Sequence, residues 1–149
     1  MNQEEKMTQE DLGEVLRLHE LWLADEGRGR GVRARLAGAC LAGVDLRGVD
    51  LRRADLREAD LREADLRGVD FREAYLDGAD LREADLREAD LREASLRGAD
   101  FREARLAGAD FREADISWAA FAGAGLAGAD LREAYVASEA DAAVEAAND

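Results

Sequence analysis

Apolar residues recur at every fifth position from Val32 to Ala137, with no insertion or deletion. Leu36, Leu41, Leu46 and each fifth residue to Val136 give 21 sites, occupied by 15 Leu, four Phe, one Ile and one Val. Two positions earlier, from Ala34 to Ala134, the 21 residues are 18 Ala and three Val (Val44, Val49 and Val69). The slot between these columns is Asp in 13 cases, the slot after the Leu is Arg in 13, and the next is Gly in nine and Glu in nine. The unit is A-D-L-R-E/G.

Ala, Leu, Arg and Glu are strong helix formers, so propensity alone predicts one long helix. The period excludes it: central residues five apart fall roughly 140° from one another around a helix and never make a stripe. A flat strand fails as well, because Ala and Leu separated alternately by two and three residues change face in every unit. The pattern fits a chain that turns a corner once per pentapeptide, sending each Ala and Leu to a common axis and Asp, Arg, Glu or Gly outward. Four corners close a square, giving about 20 residues per coil and about five coils stacked at roughly 4.8 Å. Leu46, Leu56, Leu66, Phe71, Leu86, Leu91, Phe101, Phe111 and Phe121 are thereby assigned to the core.

The stretch ADLREADLREADLRGVDFREA, residues 54 to 74, resembles the pentapeptide repeat family, whose unit is A-(D/N)-L-x-x. The resemblance covers about 105 of the 149 residues. It implies an all-β solenoid, a right-handed quadrilateral β-helix of about five coils, with Leu or Phe on the axis and Ala or Val in the corners. Gly in the fifth slot suits turns that need positive φ, and Glu there is expected to mark turns that do not.

The flanks read differently. Thr8 followed by Asp11 is a variant capping box, and Leu12, Val15, Leu16, His19, Trp22 and Leu23 keep helical spacing to about Asp25, where the glycine-rich EGRGRG segment ends the helix. A stacked solenoid leaves its terminal coil open, so Leu16, His19, Trp22 and Leu23 are assigned to an N-terminal cap. The preamble H-x-x-W-L (His19, Trp22, Leu23) is also similar to one that precedes the repeats in bacterial family members. Ser138 can cap a short Ala-rich helix to about Ala147. The expected division is a capping helix and Gly/Arg loop at 1–31, repeats at 32–137, and a short C-terminal helix or tail at 138–149.

Charge changes the functional picture. The chain has 35 acidic against 21 basic side chains, a formal net charge of −14, which excludes an ordinary basic nucleic-acid binder. Written in four columns, one face is fully regular: Asp50, Asp70, Asp90, Asp110 and Asp130 beside Arg52, Arg72, Arg92, Arg112 and Arg132. This face is either a docking strip for a protein partner or a solvated surface whose two ladders compensate each other. Some members of the family bind DNA gyrase as duplex mimics and confer fluoroquinolone resistance, usually as C-terminal dimers. The resemblance therefore implies a type II topoisomerase as an alternative partner, met through Asp70, Asp90 and Asp110. Against it, between Val32 and Val136 the acidic excess is only 6, and each outward Asp has an Arg beside it.

From Ile116 to Ala129 there is no charged residue. Trp118 and Phe121 from this stretch, together with Tyr135 and Val136, make a candidate apolar terminal surface, either a homodimer interface through the C-terminal coil or the place where the C-terminal helix folds back. Catalysis has little support. His19 falls in the cap's apolar stripe, Ser95, Ser117 and Ser138 lack a base, and no phosphate-binding or metal motif is present. Cys40 is the single cysteine, so neither an internal disulfide nor a cysteine metal cluster is expected. No apolar stretch approaches the roughly 18 residues of a membrane span, and the N-terminus has no signal-peptide pattern. The expectation is a cytoplasmic, non-catalytic binding or scaffold protein without cofactors, membrane contact or direct nucleic-acid binding.

Overall fold

The computed structural model describes residues 6–137. The C-terminal helix expected from Ser138 lies outside them. Each pentapeptide makes one β-turn and one single-residue bridge, and every bridge is parallel; apart from Lys6 to Cys40, each joins residues 20 apart, as Asp50 to Asp70, Asp70 to Asp90 and Asp90 to Asp110. The chain thus winds as a coil of 20 residues with four sides. Face 1 carries bridge residues 35, 55, 75, 95, 115 and 135; faces 2, 3 and 4 begin at 40, 45 and 50. Bridges remain isolated because the chain turns again before a second residue can pair.

The backbone donors of one unit show what closes the coil. Leu86 N–H donates forward to Arg105 O at 2.8 Å, Glu88 N–H to Ala107 O at 3.0 Å, and Asp85 N–H backward to Ala64 O at 2.9 Å. Ala89 N–H closes the turn on Leu86 O at 3.0 Å. The fifth donor, Arg87 N–H, goes to the side chain of Asp85, Oδ1 at 3.2 Å. Each unit with Asp in its bridge slot between Asp55 and Asp110 therefore satisfies all five donors, the Asp supplying the one acceptor the backbone lacks.

Leu and Phe of the central column fill the axis. Leu46, Leu56, Leu66, Phe71, Leu86, Leu91, Phe101, Phe111 and Phe121 all have 1 % or less of their surface accessible. Phe101 and Phe121, one coil apart on face 2, stack at 5.0 Å between ring centres, and Phe111 meets both edge-on at 5.8 and 6.1 Å. From Ala54 to Ala119 the small Ala column is buried as well, because a corner leaves room for a methyl and little more.

One expectation is corrected. The Glu corners are not turns that avoid positive φ: Glu58, Glu63, Glu73, Glu83, Glu88 and Glu93 all lie between 57° and 61°, near the 66° to 73° of the corner glycines. Only the second central residue of each turn is left-handed, the signature of type II geometry. The ladders above and below fix the corner, so Glu is held in a conformation that costs a non-glycine residue roughly 1–2 kcal/mol.

At the N-terminal end, helix α1 (Gln9–Ala24) closes the first coil. Thr8 Oγ1 accepts from Asp11 N–H at 3.0 Å and donates to Asp11 Oδ2 at 2.6 Å, which caps the helix as its sequence predicts. Leu12 and His19 are its buried residues, and Val15 and Leu16 of the same helix are partly buried against the core. The return loop lies directly on the helix: Val32 N–H donates to Leu18 O at 3.0 Å, and a Cβ on Gly31 would collide with that carbonyl. Only glycine fits there. Met7 N–H donates to Cys40 O at 3.3 Å, taking the place of a central residue in a coil that does not exist.

His19 completes this end. Its Nδ1 accepts from Ala34 N–H at 3.0 Å, so Nε2 carries the ring proton and donates to Arg52 O at 3.0 Å. In the regular ladder such a carbonyl would receive an N–H from the preceding coil, as Arg72 O does from Arg53 N–H. The neutral imidazole replaces it. Trp22 stacks on the ring at 5.6 Å, and Arg53 lies over Trp22 at 5.0 Å. Burial pulls the His19 pKa below its ordinary value, with Arg33 and Arg52 adding to the effect and Asp50 and the Arg52 carbonyl opposing it.

Two outcomes follow from the axis and the cap. Leu86→Ala leaves a hole that neighbours cannot fill from the side and costs about 2–5 kcal/mol in denaturant unfolding; a parental midpoint would contradict the axial position. Because His19 titrates lower when folded, its contribution is whole above the unfolded value of about 6.5 and declines as the pH falls below it. His19→Leu should lower the melting temperature at pH 8, since an unpaired buried donor or acceptor costs about 1–3 kcal/mol. It should also remove the decline that the parent shows just below pH 6.5.

Candidate interaction faces

Most of the outer surface is a set of Asp–Arg couples. In each, Arg Nε and Nη2 meet the two carboxylate oxygens of the Asp two residues earlier; in the Asp90–Arg92 couple the distances are 2.9 and 2.7 Å. Twelve such couples occur among the described residues. The bidentate fork forms because the turn brings the bridge slot and the slot after the Leu onto one edge of the corner.

Face 4 continues this without interruption. Arg52 Nε lies 3.7 Å from Asp70, Arg72 Nε 3.6 Å from Asp90, Arg92 Nε 3.7 Å from Asp110, and Arg112 Nε 3.6 Å from Asp130. Each inner Arg sits between two carboxylates and each inner Asp between two guanidiniums. The Arg132 guanidinium holds the Asp130 carboxyl down to about 2, and Arg67 does the same for Asp65 on face 3, where burial opposes it. The Asp ladder is therefore a neutralised, structurally engaged strip.

The acidic excess sits elsewhere. At the exposed corners, Glu73, Glu93, Glu113 and Glu133 follow face 4, and Glu63, Glu83 and Glu103 follow face 2. None of these carboxylates makes an ion pair or a side-chain hydrogen bond among the described residues. They repeat once per coil, roughly 4.8 Å apart. The sequence singles out the Asp ladder and not these rows, because nothing in a single unit says which of two carboxylates the adjacent Arg will take.

The terminal surface is smaller than its sequence suggests. Trp118 is 52 % and Tyr135 64 % exposed, and Val136 is half-buried. Phe121 belongs to the axis and is inaccessible, so it is removed from the candidate surface. The uncharged outer slots of that coil misled, because surface polarity says nothing about the central column. Ser117 Oγ donates to Asp115 Oδ1 at 2.6 Å and accepts from Ala137 N–H at 2.9 Å, tying the last described residue back to the coil before it.

In the cap, Leu16, Trp22 and Leu23 are half-buried and His19 is fully buried. His19 uses both ring nitrogens for structure and faces no cleft. Cys40 lines an open depression with Lys6, Glu58, Asp60 and Arg62 at the first coil. No group of three or more His, Cys, Asp or Glu side chains among the described residues could hold a metal ion, and none of their helices is long and apolar enough to cross a membrane.

The couples make a sharp mutational contrast. Arg92→Ala removes an exposed ion pair and should cost no more than about 1 kcal/mol. Asp90→Ala removes the same pair and also the acceptor for Arg92 N–H, and should cost about 1–3 kcal/mol more. Equal losses in thermal unfolding would show that the Asp acts only through its charge.

With this geometry in view, comparison with known proteins is direct. The sequence profile described as Pentapeptide repeats (8 copies) matches residues 32–68, 64–102, 89–126 and 99–135. Among curated proteins no significant match is found. Several solved structures are similar. Rfr23, a pentapeptide repeat protein from the cyanobacterium Cyanothece, is 27 % identical with a TM-score of 0.61, over 70 % of this chain and 87 % of its own. A pentapeptide repeat protein of the Arabidopsis thaliana thylakoid lumen is 31 % identical with a TM-score of 0.52, over 77 % and 80 %. HetL from the cyanobacterium Nostoc, described as involved in heterocyst differentiation regulation, is 36 % identical with a TM-score of 0.51, over 67 % of this chain and 52 % of its own. The matched repeats span the whole of the coil described above, and the chain belongs to the pentapeptide repeat family.

Proposed function

We propose that this chain is a non-catalytic binding or scaffold rod that offers a protein partner side chains at a fixed axial spacing. Residues 1–31 act as its cap, 32–137 as a right-handed quadrilateral β-helix and 138–149 as a tail, and it works in the cytoplasm of a bacterium. One observation carries the reading: the axis is filled by side chains with almost no accessible surface, while the corners carry rows of Glu whose charge no Arg cancels. A filled axis leaves no interior site for a substrate, and repeated unpaired carboxylates suit a basic partner surface. The description of HetL is regulatory, in keeping with a binding role.

The Glu columns also favour a second reading, occupation of the DNA site of a type II topoisomerase. In this form the duplex mimic uses Glu73, Glu93 and Glu113 in place of Asp70, Asp90 and Asp110, because each Asp is already held by Arg. One row at roughly 4.8 Å per charge is sparser than duplex DNA at about 1.7 Å, and the two Glu rows stand on opposite corners, so the mimic offers one partner about a third of the duplex charge density.

Both readings are tested with the full chain and its Glu73→Gln/Glu93→Gln/Glu113→Gln variant. Retention of a partner from bacterial extract that weakens with salt and is lost in the variant is the expected result. Retention indifferent to both would contradict a charged docking face. In a DNA gyrase supercoiling assay, inhibition or fluoroquinolone protection by the parent and not by the variant supports duplex mimicry. No effect of the parent removes that second reading and leaves the first.

A further inference from the structure

Face 1 differs from the other three in what it leaves unmatched. Tyr75, Trp118 and Tyr135, the three exposed aromatic residues of the described chain, all stand on it. Two of its Asp–Arg couples are split: Ser95 replaces the Asp that would hold Arg97, and Ser117 replaces the Arg that would hold Asp115. Arg97 lies instead over the Trp118 ring at 5.1 Å, and among the described residues the Asp115 carboxylate accepts only from Ser117. Its corners carry Gly78 and Gly98 above a single Glu58, where faces 2 and 4 carry rows of Glu. Exposed aromatic rings beside an arginine are the composition of an interface centre.

We propose that face 1 pairs with face 1 of a second copy, the rods lying side by side and antiparallel about a two-fold axis. The column order supports this occupant over a foreign one, because the face is complementary to itself. With the axis midway between the levels of residues 95 and 115, Tyr75 meets Tyr135 of the second copy. Arg97 meets the level of Asp115 and Ser117 of the second copy, so the split couple of one rod is completed by the other, twice over. Trp118 meets Gly98 of the second copy, a corner where even a Cβ would have nothing within 4 Å. The large side chain of one copy thus faces the gap in the other. Each chain carries a net charge of −14, and faces 2 and 4 would set unpaired Glu rows against each other. Face 1 avoids this. One side of a narrow rod is small against the roughly 1,200–2,000 Å² of a stable interface, so the dimer depends on concentration. It requires neither the docking partner proposed above nor the Glu rows that would bind it.

Sedimentation velocity of the full chain from about 5 to 500 μM tests the pairing. The expected result is a reversible monomer–dimer equilibrium that weakens at least tenfold in Gly98→Glu and in Arg97→Asp, and recovers in Arg97→Asp/Asp115→Arg. Each change keeps a residue type this fold already holds in the same slot: Glu at positive φ in Glu58, Asp in Asp77 and Arg in Arg105. Circular dichroism melting checks that the variants remain folded. A monomer throughout the range would overturn the proposal. So would a dimer indifferent to Gly98→Glu, which is the behaviour of rods joined end to end, or a double variant no better than Arg97→Asp.

Discussion

The structure depends on where the backbone donors go. A chain that turns every five residues cannot build a continuous strand, so it must satisfy each unit separately. Four donors find carbonyls in the same turn or in the coils above and below. The fifth has no backbone acceptor within reach, and the Asp of the bridge slot provides one. This is why Asp rather than Glu recurs there: its short side chain reaches the N–H two residues on, where a longer one would overshoot. The same carboxylate then takes the guanidinium of that residue, so one side chain closes both the backbone and the surface charge.

This constraint separates structural acidity from available acidity. The Asp ladder is the most regular feature of the sequence, and it is the one most fully used by the fold. Glu, one slot beyond the Arg, is held at the corner by its backbone alone, and its carboxylate is left over. Any partner that reads negative charge meets the Glu rows first. Face 1, where the couples are interrupted and aromatic rings stand outside, offers a second and chemically different surface on the same rod.

The axis and the cap were legible for different reasons. Leu86, Phe111 and Ala84 could be placed because a strict period leaves each column one possible direction. Thr8 and Asp11 announced the helix start by spacing alone. The left-handed Glu corners could not be read locally, because Glu83 prefers helix and is overruled by ladders formed with residues 20 positions away. Phe121 was placed on a terminal surface because its neighbours are uncharged, although its column already put it inside. Met7 and the double role of His19 were beyond sequence reasoning. Each replaces a hydrogen bond from a coil that is missing, and a missing coil leaves no pattern.

Amide hydrogen exchange, followed residue by residue in the full chain, tests the role of the bridge-slot Asp most directly. Arg82 and Arg87 N–H are bonded to Asp80 and Asp85, whereas Arg97 and Ala107, which follow Ser95 and Arg105, donate to no acceptor among the described residues. The account predicts slow exchange at Arg82 and Arg87 and fast exchange at Arg97 and Ala107, with the adjoining Leu86, Leu96 and Leu106 amides slow throughout. Equal protection at all four positions would contradict it, because the Asp side chain would then not be the acceptor that completes the unit.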